Sequence, residues 1–504
     1  MSISTRIMAA ALMLLAGCSP SGPQGARLTV TVVGDAERPG SLSRRLVAEA
    51  TQPTLVARDG AGQTVAGLAT SWRFVDDGRG LILRLRPEQW SDGKALVSAD
   101  VVAAFRRAGL RREPMLAKAG LARADDVLAR RAPVSALGVM APISRVVELR
   151  LDAASPLLLG WLAEPELGVT ALRKGATLAA YVASGPVERR ELRRREMAAS
   201  PEARPATILV QAAAVAGPAL KAFGDGKTDI VMGEGLAGLG EARIAARGDA
   251  MRIDPLWGVY GYVINTLRGP LANAAVRRAL VLAVDRRILA AEFGLEAIAP
   301  AEGLLPPSLG GAPQPVARTL GSVRTGDDFN ARMEEARALL AAAGWGGDHP
   351  LRLVLLLPPG REHRSVAERV AADWAQAGVV LAVSEGDAAM QDRLMARGDF
   401  DLAVTEASVP VPDAAALLTR WRCGAGPHCN LAADVLMAEA RKAGPAERPR
   451  LLAESEAAMM TGPPMVPLFT PVRWAMVSRD VEEWVPNRGA SHPVARLGVG
   501  GRRR

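Results

Sequence analysis

Short apolar strands alternate with amphipathic helices along most of this chain, and that alternation restricts it to α/β architecture with mostly buried sheets. Thr207–Val210, Thr228–Val231, Tyr260–Asn265, Leu351–Leu357, Val379–Val383 and Met465–Phe469 read as strands. Asn273 caps a helix whose Val276, Leu280, Ala283 and Val284 share one face, and Asn330 caps another that ends at Gly344. Further helices span about 430–442 and 447–460. At 504 residues the chain exceeds one ordinary domain. Its 49% apolar and 23% charged residues supply true cores and exclude disordered, collagen-like or disulfide-dense classes.

The N-terminus adds a compartment. One positive charge, Arg6, precedes the apolar run Ile7–Ala16, which is followed by Gly17 and Cys18. A bilayer-spanning helix needs about 20 residues, so this run reads as a secretory signal of residues 1–17. The small residues before Cys18 resemble the bacterial lipobox, which makes Cys18 the lipidated N-terminus and residues 18–26 a flexible tether. The protein is thus expected to be an extracytoplasmic, membrane-anchored lipoprotein. The other two of its three cysteines, Cys423 and Cys429, flank Gly-Ala-Gly-Pro-His, a segment able to turn and close a small disulfide loop in an oxidising compartment. A metal site with His428 lacks a fourth ligand, so no metal is expected.

Catalytic constellations are missing. There is no Gly-x-Ser-x-Gly elbow and no His-Glu-x-x-His, and His349, His363, His428 and His492 occupy polar or proline-containing contexts that read as solvated surface. Gly226-Lys227-Thr228 lacks the leading glycine of a phosphate-binding loop, since Lys221 stands there. The run Arg189–Arg195 is interleaved with acid, and with an extracytoplasmic address the net charge of +9 reads as a solvated basic face, not a nucleic-acid site. Neither an enzyme nor a cofactor is expected. Ser71–Val75, a turn at Asp77-Gly78, and Leu81, Leu83 and Leu85 alternating with Arg84 and Arg86 form a hairpin. After it, Ser98 caps a helix carrying Val101, Val102 and Phe105, and residues 145–151 form another strand. The segment from about 110 to 143 gives no readable pattern.

Gly67-Leu68-Ala69-Thr70-Ser71-Trp72, Asp76-Asp77-Gly78, Trp90-Ser91-Asp92-Gly93 and Ser98-Ala99-Asp100-Val101-Val102 closely resemble the signature block of the bacterial extracellular solute-binding proteins of family 5, the peptide, dipeptide and nickel type of ABC importer. Ile264-Asn265-Thr266, Val276-Arg277-Arg278-Ala279-Leu280, Ala283-Val284-Asp285-Arg286 and the helix from Asn330 to Gly344 resemble its later landmarks, so the likeness covers about residues 45–110 and 205–475. The resemblance implies a periplasmic-binding-protein-like, two-lobed clamp of type II with an extra subdomain in the first lobe. Lobe I would comprise 27–45, 150–253 and 471–504, the accessory subdomain 46–149, and lobe II 256–470, so that the chain crosses the hinge twice. It further implies a monomer that captures a small peptide-like solute between its lobes and delivers it to the permease subunits of an ABC importer.

The same resemblance marks departures. Family peptide binders carry an Asp for the peptide's α-amino group within Trp-x-x-Asp-Tyr-x-(Asp/Glu)-Pro, where this chain has Glu406-Ala407-Ser408-Val409-Pro410-Val411-Pro412-Asp413. Val409 or Pro410 falls at the Asp position, which leaves Glu406, Ser408 and Asp413 as ligand candidates by family position. Trp257, Tyr260 and Tyr262 are the further candidates. Their density in an aromatic-poor chain suits a cleft wall, with core packing as the other reading. The missing Asp also keeps open a binding protein decoupled from transport, an envelope sensor or scaffold of the same fold.

Overall fold

The computed structural model describes residues 26–195, 204–306, 309 and 328–500. The leader, Cys18, most of the tether and the terminal arginines lie outside the described residues.

A seven-stranded sheet forms the core of the first lobe. Its strand order is Met251–Pro255, Val472–Val477, Ile230–Gly233, Arg27–Val33, Thr207–Ala213, Arg189–Arg194 and Tyr181–Ser184. Arg27–Val33 runs parallel to both of its neighbours and so is covered on both faces. Leu28, Val30 and Val32 are buried, and so are the alternating Thr29 and Thr31. The buried hydroxyl of Thr31 is satisfied by Thr228 at 3.0 Å and by Gln211 Nε2 at 3.0 Å, which is what lets polar residues sit in a central strand.

The second lobe is built on five strands in the order Val379–Glu385, Leu351–Leu357, Leu402–Val409, Trp257–Ile264 and Met465–Phe469. The chain passes from one sheet to the other between Pro255 and Trp257 and returns between Phe469 and Val472. These crossings are strapped side by side, for Leu256 donates its N–H to Pro471 O at 2.9 Å. Two adjacent extended straps resist shear and allow rotation, which is the geometry of a hinge.

The accessory unit is an antiparallel sheet of Ala69–Val75, Gly80–Leu85, Val146–Arg150 and Val139–Ile143. Its hairpin turns where the sequence indicates, with Asp76, Asp77 and Gly78 all left-handed at φ of 53°, 52° and 84°. Leu81, Leu83 and Leu85 are fully buried together with Val101 and Phe105 of the helix Ser98–Leu110. Ser98 does not cap that helix. Its hydroxyl donates to Ile143 O at 2.6 Å and ties helix to sheet, while Asp100 reaches back to accept the N–H of Val97. Residues 110–143 contain two short helices, Met115–Lys118 and Ala124–Leu128, before the strand Val139–Ile143, and pieces of four or five residues carry no legible period.

The arginine-rich landmarks of lobe II prove to be internal staples. Arg286 is fully buried and donates to Pro467 O, Val284 O and Val281 O, while Arg277 binds the carbonyls of Pro463, Leu271, Ala272 and Gly462. Burial pushes the Arg286 guanidinium down to about 9, and the three carbonyl dipoles it faces oppose that loss. The helix Phe329–Ala342 is capped by Asp328, which accepts from Asn330 N, and not by Asn330 itself.

Three of the four histidines are interior, contrary to the surface expectation. His363 bonds the Tyr260 hydroxyl at 2.7 Å, His492 bonds Asp254 at 3.0 Å, and His428 is buried beside the disulfide; His349 is exposed. Each buried ring rests in a context that only the folded chain creates. Cys423 and Cys429 are bonded to one another.

Candidate functional site

The two lobes meet along a seam whose rims are closed by hydrogen bonds. On one side Trp161 Nε1 donates to Asp413 Oδ2 at 3.2 Å, and Arg58 donates to Pro410 O at 3.2 Å. On the other, Glu362 accepts the N–H groups of Gly238 at 3.3 Å and Gly240 at 2.8 Å, and Arg243 donates to Phe293 O. Among the described residues no helix is long and apolar enough to cross a membrane, and no group of three or more His, Cys, Asp or Glu is placed to hold a metal ion.

Inside the seam stands Glu406, on the strand Leu402–Val409 directly opposite Tyr260 in register. Its carboxylate reaches across to lobe I, where a Cβ on Gly235 would lie 2.9 Å from Oε2. A side chain at position 235 would make the carboxylate shift. Among the described residues nothing donates a hydrogen bond to Glu406. The seam removes much of its water and raises its carboxyl from the ordinary 4.5 to about 7. Arg473 and Arg38 pull the value down, and Glu234 pushes it up.

Glu234 is the matching group of lobe I. It follows the strand Ile230–Gly233, accepts the N–H of Leu42 at 3.1 Å, and is likewise raised by burial. Arg473 comes from the returning hinge strand, donates to Ala490 O at 3.3 Å, and is lowered by burial with Glu406 and Glu234 opposing. Behind this set lies a satisfied buried triad, Glu164 with Arg45 and Arg58; burial would raise the Glu164 carboxyl, but the two guanidinium groups hold it below its ordinary value. Glu164 is therefore spoken for, and Glu406 is not.

The other candidates divide. Tyr260 and Tyr262 have no exposed surface and belong to the core, not to a cleft wall. Tyr260 stacks on Phe469 at 4.6 Å, and Tyr262 meets Trp374 edge-on at 6.3 Å. Both lie on the sheet face that Glu406 shares, where His363 and Trp374 of the helix Arg361–Ala375 pack against them. Trp257 is half-buried at the hinge, with its ring over Gly489. Ser408 is half-buried on the same sheet face as Glu406 and lies opposite Gly258 in register. Asp413 is 4% exposed and fully engaged: it caps the helix Ala414–Leu418 through Ala415 N and Ala416 N, and binds Trp161 and Arg448. Its position answers to helix capping and lobe contact.

Sequence reasoning missed Glu234 and Arg473. The signal for Glu234 was present, a carboxylate between two glycines (Gly233 and Gly235) at the end of an apolar strand. Arg473 carried none, because its strand was not recognised.

Two α/β lobes, a double strap between them and an unpaired charge in the seam define a clamp-type solute-binding protein. The profile of the bacterial extracellular solute-binding proteins, family 5 Middle, matches residues 63–427, and the chain belongs to that family, whose members are binding proteins and not enzymes. It is 28% identical over 478 residues, 86% of each chain, to the probable deoxycholate-binding periplasmic protein YgiS of Escherichia coli K12. It is 25% identical over 475 residues, 87% of this chain and 84% of the other, to the periplasmic oligopeptide-binding protein OppA of the same strain. The crystal structure of Haemophilus influenzae OppA in complex with RPPGFSPFR superposes with a TM-score of 0.79 at 19% identity, over 94% of this chain and 99% of that one.

Proposed function

We propose that this chain is the capture component of an ABC importer: an exported lipoprotein, anchored through Cys18, that closes as a monomer over a small peptide-like solute and presents it to a permease. Residues 27–45, 150–253 and 471–504 would move as one lobe with the subdomain 46–149, against 256–470 as the other. The observation that carries the reading is Glu406. A carboxylate that projects from one lobe, meets the other and has no donor among the described residues costs stability, and a cationic group of the solute supplies the missing partner. It would stand in for the aspartate that family peptide binders place a few residues later. The name of the OppA relative and its complex with a peptide support a peptide-like solute; the name of YgiS makes amphipathic non-peptides worth including in the same screen.

The test is mass spectrometry of what co-purifies, followed by thermal shift against di- to pentapeptides, opines and metal chelates. A ligand at about one hundred times its Kd adds about 2.7 kcal/mol, a readily visible shift. Glu406→Gln should weaken the cationic hit at least about tenfold. A hit whose affinity is unchanged in that variant removes Glu406 from the site, and an empty screen with nothing co-purified defeats the transport reading.

A further inference from the structure

We infer that the seam holds a second, separate ligand site, for a small apolar carboxylate of roughly benzene-ring bulk. It is a cavity of about 170 Å³ lying where the loop after the accessory sheet meets lobe II. Leu157 belongs to the first lobe; Leu305, Pro412, Pro449 and Leu452 belong to the second. A dry cavity of about 150 Å³ lined by aliphatic side chains is enough to take up benzene, so this one has room for a single ring or a branched chain. Glu406 is not among its lining residues, so the cavity is distinct from the cationic site.

The charge requirement comes from Arg448. Its guanidinium lines the cavity, is 20% exposed, and among the described residues makes a single polar contact, to Asp413 Oδ1 at 3.4 Å. Asp413 does not depend on that contact, since Ala415 N, Ala416 N and Trp161 Nε1 already donate to it. Arg448 therefore keeps most of its five donors for another acceptor, and a planar carboxylate is the acceptor its fork fits. The walls are apolar apart from Arg448 and the Asp413 carboxylate, and because Asp413 is already met by three donors besides Arg448, the under-used fork selects an apolar acid over an alcohol, an amine or a large zwitterion. Because both lobes contribute walls, the occupant binds only when the lobes are together and so favours closure.

The probe is 3-phenylpropionate, with its uncharged amide as control, titrated into the full chain by isothermal calorimetry and ligand-observed NMR. Saturable binding of the acid, at least about tenfold tighter than the amide, is expected. Arg448→Met, which keeps the aliphatic stem, should erase that preference while the amide binds as before. Leu452→Trp and Leu157→Trp fill the cavity from opposite lobes, and each should abolish binding of both compounds. No saturable binding by the unaltered chain overturns the inference. So does a preference for the acid that survives Arg448→Met, or binding that survives both tryptophan variants. Should the tryptophans unfold the protein, the acid-to-amide ratio in Arg448→Met decides alone.

Discussion

Replacing Glu406 by glutamine should stabilise this protein, increasingly as pH rises from about 4.5 to about 7. The carboxyl moves from an ordinary 4.5 to about 7 because the seam desolvates it more than Arg473 and Arg38 compensate. At about 1.36 kcal/mol per tenfold change in proton affinity, that displacement amounts to about 3 kcal/mol. The figure is an upper bound, since the half-buried carboxylate keeps some contact with water. The folded state holds the proton more tightly than the unfolded chain, so stability falls as pH rises from about 4.5 to about 7. Above that range the whole cost is present, and below it there is none. Glutamine mimics the protonated acid, keeps its shape and never ionises. Scanning calorimetry at about pH 4.5 and about pH 8 should therefore give matching melts for the two proteins at the lower pH and a higher melting temperature for Glu406→Gln at the upper. Titrating groups that do not sense Glu406 are common to both and cancel. Equal differences at the two pH values, or a more stable glutamate at pH 8, would refute the claim that this carboxylate is desolvated and unpaired. A cationic ligand should reverse the effect, stabilising the glutamate form more as pH rises past 7.

Other perturbations probe the frame around the seam. Replacing Cys423 and Cys429 by alanine opens a loop with a sequence separation of 6 and should cost about 2 kcal/mol; reductant should lower the melt of the parent but not of the variant. Arg286→Leu strands the carbonyls of Pro467, Val284 and Val281 and should cost at least about 3 kcal/mol by urea denaturation, and Arg286→Lys should not restore it because one ammonium cannot reach all three. Trp161→Phe removes the bond to Asp413 across the seam and trims a fully buried indole to a smaller ring, so the radius of gyration by solution X-ray scattering should increase while urea denaturation registers a loss of about 1–3 kcal/mol. An unchanged radius would show that this rim contact does not hold the lobes together.

What could be read from the linear chain was whatever is encoded locally. The hairpin around Asp76, Asp77 and Gly78, the strands Leu351–Leu357 and Met465–Phe469, and the Asn273 cap all depend on neighbours a few residues away. The strand Val472–Val477 went unread because it follows Met465–Phe469 after only two residues, and no turn signal marks that the chain has changed sheets. The tyrosines illustrate the opposite problem. Their density was visible, but a strand period of two only says that Tyr260 and Tyr262 share a face. It does not say whether helices or solute cover that face. His363 and His492 looked like surface residues because their partners, Tyr260 and Asp254, are 103 and 238 positions away.

By itself the sequence determined the α/β class, the hairpin block that carries the family likeness, and the pair of cysteines able to close a small loop, because backbone propensity, turn chemistry and short-range apolar period act between near neighbours. Only the tertiary structure decided which charge is left without a partner. Glu164 and Glu406 are the same residue type, yet two arginines close on the first and, among the described residues, none bonds the second. The energy of a charge depends on how much water the fold removes and on what the fold then sets beside it, and at Glu406 both come from the opposite lobe.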